Sequence, residues 1–120
     1  MLKLKHIVDE LYLVDEINNA KIIFKELQKM YPDVEIPVFE FKDLKGRGSG
    51  YLTTYKIKGG KYIFIKKMTI DNSGRSDYSA DYAVCHEFAH AILATTKNTL
   101  THNKEHDNLT YKLAKKFDLV

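Results

Sequence analysis

The spacing of hydrophobic residues changes along the chain from a helical pattern to a strand-like pattern and back. Between Asp15 and Tyr31, apolar side chains recur at steps of three and four residues, and Pro32 follows as a stop. This segment is therefore predicted to be an amphipathic helix. Residues 1–14 are ambiguous, because they combine an alternating pattern with a helical one.

Three segments in the middle of the chain are rich in the β-branched and aromatic residues that favour strands. They cover residues 35–41, 51–58 and 61–70. Gly59-Gly60 separates the last two segments and suits a two-residue hairpin turn. The three strands are therefore predicted to form an antiparallel meander.

The helical period returns in the last third of the chain. Apolar residues from Tyr82 to Leu93 form one stripe, with Asp77 or Ser79 as a plausible N-cap. A final helix is predicted from about Asn103 to Phe117, where apolar residues recur at four-residue steps. The order helix, three strands, helix, helix predicts an α+β domain.

Length and composition narrow the class of protein. The chain has 120 residues, of which 44% are hydrophobic and 29% charged, so residues 1–120 are expected to form one folded domain. No apolar run approaches the roughly 20 residues of a membrane-spanning helix, and no secretory signal is visible, so a cytoplasmic location without membrane association is expected. The single cysteine, Cys85, excludes a disulfide scaffold and a multi-thiolate zinc cluster, and it is expected to be a buried small residue.

The helix predicted around Tyr82 to Leu93 contains an H-E-x-x-H motif, which starts at His86 and ends at His90. Residues four apart on a helix share a face, so both imidazoles can reach one divalent ion. Glu87 would then lie beside a metal-bound water. Zinc lowers the pKa of such a water, and a nearby carboxylate can take its proton as it attacks a carbonyl.

Catalytic zinc usually has three protein ligands, so a third ligand is expected after the motif. The candidates are His102, Glu105, His106 and Asp107. His102 and His106 share one helical stripe with the apolar residues of the last predicted helix, so both should face its packed side. This geometry leaves the choice between them open. Glu105 lies one position off that stripe, would imply a gluzincin, and ranks third.

The motif and the segment after it resemble the SprT-like and WLM group of zinc metallopeptidases. Residues 86–91 read HEFAHA, and residues 102–109, which begin twelve positions after His90, read HNKEHDNL. In that group the second motif is His, then Gly or Asn, two variable residues, an aromatic residue and a following Leu. The predicted order of elements over residues 15–117 is also similar to the SprT-like core.

The resemblance implies a zincin-like core with roles for individual residues. His86, His90 and His102 would bind Zn²⁺, and Glu87 would be the general base. His106 stands where the group usually has Phe or Trp, so it is either a packed core histidine, which is favoured, or a rival third ligand. The implied activity is zinc-dependent hydrolysis of peptide bonds in a protein or peptide substrate.

Two other functions fit the same residues. A hydrolase similar to the YgjP-like group would act on a phosphorylated small molecule, with cations of residues 42–67 holding the phosphate. A non-catalytic binding module would use zinc only to join two helices.

The oxyanion of a hydrolytic transition state also needs a hydrogen-bond donor. Tyr78, Tyr82 and Tyr111 are near enough in sequence, but the pattern assigns none of them.

The net charge of +3 conceals an uneven distribution. Residues 42–67 contain eight Lys and Arg side chains against Asp43 alone, a net charge of +7, whereas the rest of the chain carries −4. Aromatic residues are interleaved with these cations, which predicts contact with nucleic acid. SprT-like proteases act in the repair of DNA-protein crosslinks, which supports the same expectation. The alternative is a solvated sheet edge whose lysines prevent aggregation.

Overall fold

The computed structural model describes the backbone of residues 2–120 and the side chains from residue 14 onward. Within these residues, helices α1 (Leu2–Met30), α2 (Ala80–Lys97) and α3 (Lys104–Lys116) accompany strands β1 (Val38–Lys42), β2 (Gly50–Tyr55) and β3 (Phe64–Asp71). The predicted α+β class and the predicted order of elements are confirmed. Helix α1 contains the predicted helix and extends it towards the N-terminus, through the segment whose pattern was ambiguous.

The sheet is mixed, so the predicted antiparallel meander is wrong. The strand order is β1-β3-β2, and β3 pairs parallel with β1 and antiparallel with β2. Strand β3 lies at the centre and is the most deeply buried strand, with Met68 and Ile70 fully inaccessible to solvent. Residues 43–49 cross past its end to the far edge, and the Leu44 N–H there donates to the Asp71 carboxylate at 2.9 Å.

The connection between β2 and β3 is longer than the predicted two-residue turn. Residues 56–63 join the two strands, and Gly59-Gly60 lies within this loop. The Asn98 side chain binds the loop just before β3, donating to the Lys61 carbonyl and accepting from the Ile63 N–H, both at 2.8 Å. These two bonds attach the loop to the end of α2.

The two C-terminal helices are confirmed, and their ends are well defined. Helix α2 starts after Ser79, one of the two predicted caps, and ends at Asn98, whose left-handed backbone (φ 53°) stops the helix. Helix α3 starts after Asn103, whose side-chain oxygen accepts a hydrogen bond from the His106 N–H at 3.0 Å. No described helix is long and apolar enough to cross a membrane.

One face of the sheet packs against α1 and α2, and the other face is not covered by any described helix. On the packed face, the Phe39 ring stacks on Phe24 of α1 with ring centroids 4.1 Å apart. Phe41, Leu52, Met68 and Ile70 share that face. Alternate residues of each strand form the opposite face, which we term the open sheet face. Its members are Val38, Glu40, Lys42, Tyr51, Thr53, Tyr55, Phe64, Lys67, Thr69 and Asp71.

Gly50, the first residue of β2, has no space for a side chain. A Cβ atom there would lie 2.7 Å from the Thr69 carbonyl oxygen and 3.5 Å from Cγ of Glu87. Replacing Gly by Ala ordinarily stabilises a fold by restricting the unfolded chain, but here the added carbon forces β2 to shift. We expect Gly50→Ala to lower the free energy of unfolding by about 1–3 kcal/mol, measured by denaturant titration.

Thr53→Ala is the matched control for this glycine variant, because Thr53 belongs to the same strand but to the open sheet face. We expect it to change the free energy of unfolding by less than about 0.5 kcal/mol. Equal stability of the Gly50→Ala and Thr53→Ala variants would show that β2 has room to move away from Glu87.

Candidate metal centre

Helix α2 carries His86 and His90 one turn apart, as the motif predicts. Their ring centroids are 5.2 Å apart, and the two rings are nearly perpendicular. Helix α2 is buried along most of its length, so His90 is only 6% exposed and His86 is half-buried. The two imidazoles therefore approach each other at the border between the core and the solvent.

His102 joins these two histidines from the loop between α2 and α3. Its Nε2 atom lies 3.2 Å from Nε2 of His86 and 3.0 Å from Nε2 of His90. The cap residue Asn103 places His102 directly before the first turn of α3. His102 is therefore outside the helix and largely exposed, whereas the sequence pattern placed it on the packed side together with His106.

His106 is completely buried behind the other three rings. It stacks on His90, with centroids 3.6 Å apart and planes 17° apart, and its Nε2 atom lies 3.0 Å from the His86 carbonyl oxygen. Its Nδ1 atom has no hydrogen-bond partner among the described residues. One ring nitrogen from each of His86, His90, His102 and His106 lies within 4.8 Å of the others, so the four residues are close enough to bind a metal ion.

The spacing of the three Nε2 atoms suits a tetrahedral metal ion. Zn–N bonds of about 2.0–2.1 Å place two tetrahedral nitrogen ligands about 3.3–3.4 Å apart, close to the observed 3.0 and 3.2 Å. Burial, together with the neighbouring imidazoles, lowers the pKa of His86 to about 4 and that of His90 to about 3. Both rings are then neutral near pH 7, which is the form that binds a metal.

Glu87, the residue after His86 on α2, lines a cavity beside the histidines. Together with His86 it lines a cavity of about 220 Å³, whose other walls come from Gly46, residues 48–50, residues 75–78 and Ala83. Its side chain is 6% exposed, and burial raises the pKa of its carboxyl to about 7. A carboxyl with such a pKa can both accept and release a proton near neutral pH.

The other candidate residues lie outside the four-histidine cluster. Glu105 forms an exposed ion pair with Lys97, and Asp107 is exposed with its carboxylate 3.9 Å from Nδ1 of His106. Cys85 is fully buried, and burial raises the pKa of its thiol to about 12. The expectation that Cys85 is a buried small residue is confirmed, and a role as thiolate nucleophile is disfavoured.

The three tyrosines that the sequence left unassigned occupy different places. The Tyr78 ring packs against His86 with centroids 5.9 Å apart, and it lines the same cavity as Glu87. Tyr82 contacts Tyr78 with ring centroids 5.0 Å apart, and Tyr111 is exposed on α3. Tyr78 precedes the α2 cap, where no periodic pattern exists, so the sequence carried no signal that separates it from the other tyrosines.

Comparison of the chain with protein-family models, with curated proteins and with solved structures finds no match. The chemistry of the site is therefore inferred from four imidazoles, one buried carboxyl and the cavity beside them.

Proposed function

We propose that this chain is a zinc-dependent metallopeptidase that hydrolyses peptide bonds in protein substrates. The observation that carries the proposal is the convergence of the Nε2 atoms of His86, His90 and His102 beside the cavity that Glu87 lines. Under this proposal the three histidines bind the metal, Glu87 is the general base, and His106 packs behind His90. The resemblance of the two motifs to SprT-like zincins supports the same roles.

Zinc is the metal that suits this donor set best. Three imidazole nitrogens with an open fourth position are the arrangement typical of catalytic zinc, whereas four protein ligands are typical of structural zinc. When bound, Zn²⁺ supplies a Lewis acid that polarises a carbonyl and makes water more acidic. Under this proposal His106 packs against the site and does not bind the metal, because its Nε2 atom contacts the His86 carbonyl oxygen at 3.0 Å.

Glu87 would move the protons of the reaction. Its carboxylate would accept a proton from the attacking water and deliver it to the leaving amine, since catalysis is most efficient when the pKa of the base lies near the working pH. Burial, which raises this pKa to about 7, meets that requirement. Gly50 lies directly beside Glu87, because a Cβ atom there would be 3.5 Å from Cγ of Glu87.

Strand β2 offers a peptide substrate a free edge beside Glu87. In the order β1-β3-β2 its outer backbone groups have no partner strand among the described residues. An extended peptide can bind such an edge as an additional strand. Because β2 begins at Gly50, next to Glu87, a peptide bound in this way would pass the general base.

A second candidate function keeps the metal and changes the substrate to a phosphorylated small molecule. Gly46 and Gly48 line the cavity with Glu87, and the cations Lys45 and Arg47 alternate with them along the chain. Positive charges next to the cavity could hold a phosphate. This observation favours the hydrolase interpretation that is similar to the YgjP-like group.

Assays of the zinc-loaded chain distinguish the two substrates. The protein is stripped of metal with a chelator, given one equivalent of Zn²⁺, and tested on casein and on nucleoside triphosphates. We expect casein cleavage that requires the added zinc and disappears again with chelator. Zinc-dependent phosphate release without casein cleavage would support the second candidate, and failure to turn over either substrate would contradict both hydrolytic functions.

A further inference from the structure

The open sheet face presents aromatic side chains that the proposed peptidase chemistry does not use. Tyr51, Tyr55 and Phe64 are 40%, 51% and 39% exposed. The rings of Tyr55 and Phe64, on adjacent strands, lie 5.5 Å apart and nearly parallel. Tyr51 and Tyr55 are four residues apart on β2, a separation of about 14 Å along a strand. The exposed rings are thus distributed along the edge strand β2 and the start of the adjacent strand β3.

Cationic side chains lie at both ends of this aromatic row. At the end of the row that Tyr51 occupies, Lys42, Lys45 and Arg47 line a second cavity, of about 310 Å³, together with Tyr51. At the other end, the 56–63 loop exposes three further lysines. They are Lys56, Lys58 and Lys61. Among the described residues, none of these six cations has an acidic partner in an ion pair.

The acidic groups near this surface are mostly neutralised or placed at its margin. Glu40 of the open sheet face forms an ion pair with Lys67 at 3.0 Å, and Asp43 pairs with Arg75 at 3.2 Å. Asp33 and Glu35 share a third cavity with Tyr55, Phe64 and residues of α2. Asp71, opposite Lys42, is buried and accepts hydrogen bonds from the Leu44 N–H and the Ser73 hydroxyl. The six cations that have no ion pair among the described residues therefore form two groups, one at each end of the aromatic row, where they can attract phosphates.

We propose that the open sheet face binds single-stranded nucleic acid. Phosphates would contact the cations at the two ends, and unpaired bases would stack on Tyr51, Tyr55 and Phe64. Interleaved cations and exposed rings on an open sheet suit single strands, because the bases of a duplex are not free to stack on protein side chains. Tyr51, Tyr55 and Phe64 belong to the sheet face opposite the one on which Gly50 approaches Glu87, so this binding does not require peptide hydrolysis.

Fluorescence anisotropy with labelled oligothymidylate and oligouridylate tests this surface without any assay of hydrolysis. We expect Lys56→Glu/Lys58→Glu to weaken binding at least about tenfold and to reduce the slope of log affinity against log salt by about 1.4. The control Lys112→Glu/Lys116→Glu changes the net charge equally but lies on α3. It should weaken binding less than about threefold. Equal losses in the two variants would overturn the proposal.

Aromatic variants test the stacking itself. We expect Tyr55→Ala to weaken binding roughly 5- to 150-fold and Tyr55→Phe to retain it, since only the ring is needed. Tyr111→Ala on α3 removes an equally exposed ring and should have no effect. Binding of either oligomer with this pattern supports the proposal, and the tighter one identifies DNA or RNA. Absence of binding by the wild-type chain, or equal affinity for duplex DNA, would overturn it.

Discussion

The Glu87→Gln variant is expected to lose hydrolysis by about 10²- to 10⁴-fold while it keeps its zinc and its fold. Glutamine has nearly the same shape, but its amide cannot accept the proton of an attacking water. It also carries no charge, so its burial beside Gly50 does not weaken folding. Initial rates at saturating substrate, zinc content and thermal melting, measured on the same preparations, check the three parts of this expectation.

Glu105→Gln is the matched control for this substitution, because the Glu105 carboxylate is exposed and paired with Lys97. We expect it to retain full activity. Equal activity of the Glu87→Gln variant and the wild type would remove Glu87 from the role of general base. A wild-type chain that binds zinc but hydrolyses nothing would instead favour a module in which the metal only joins α2 to α3.

His102→Ala is expected to abolish stoichiometric zinc binding, whereas His106→Phe should retain it. Loss of His102 removes one of three converging Nε2 atoms but little packing, since this residue is largely exposed. Phenylalanine at position 106 preserves the stacked contact with His90, which is 3.6 Å between ring centroids in the wild type. Zinc released by denaturation and titrated with a chromogenic chelator gives the metal content of each variant.

The opposite result for these two variants would make His106 the third ligand. Loss of zinc in both would indicate that all four histidines bind the metal and leave it no open position, as in structural zinc sites. That outcome would contradict the proposed hydrolysis. His106→Ala is less informative, because removing a fully buried ring also leaves a cavity that destabilises the fold.

The helical elements were predictable because their information is local. The stripe on α2 and the stop at Pro32 follow from residues within one or two turns of each other. The pairing of β1 with β3 joins Val38 to Lys67, 29 residues apart, and no local pattern specifies whether such strands run parallel. The connection over 56–63 also depends on Asn98, which lies 35 residues after Ile63 and 37 residues after Lys61 in the sequence.

In the candidate site, too, some residues could be placed from local spacing in the sequence and others could not. His86, Glu87 and His90 are fixed by helical spacing alone, so their mutual placement was predicted. His102 and His106 were equivalent in the sequence because four residues separate them, as on one helix face. The cap at Asn103 breaks this equivalence, because it leaves His102 in the loop and His106 inside α3. The predicted helix start at about Asn103 is confirmed. A residue that precedes the start does not follow the helical stripe, so the four-residue spacing alone does not place His102.

The left-handed residue at the end of α2 meets two demands that favour different amino acids. Glycine is the usual choice for a left-handed helix terminus, because it has no Cβ. The side-chain amide of Asn98, however, holds both the Lys61 carbonyl and the Ile63 N–H, and glycine has no such group. Asparagine tolerates the backbone conformation and supplies the amide. Natural selection at this position should therefore accept few residues besides asparagine, although it lies outside the histidine cluster.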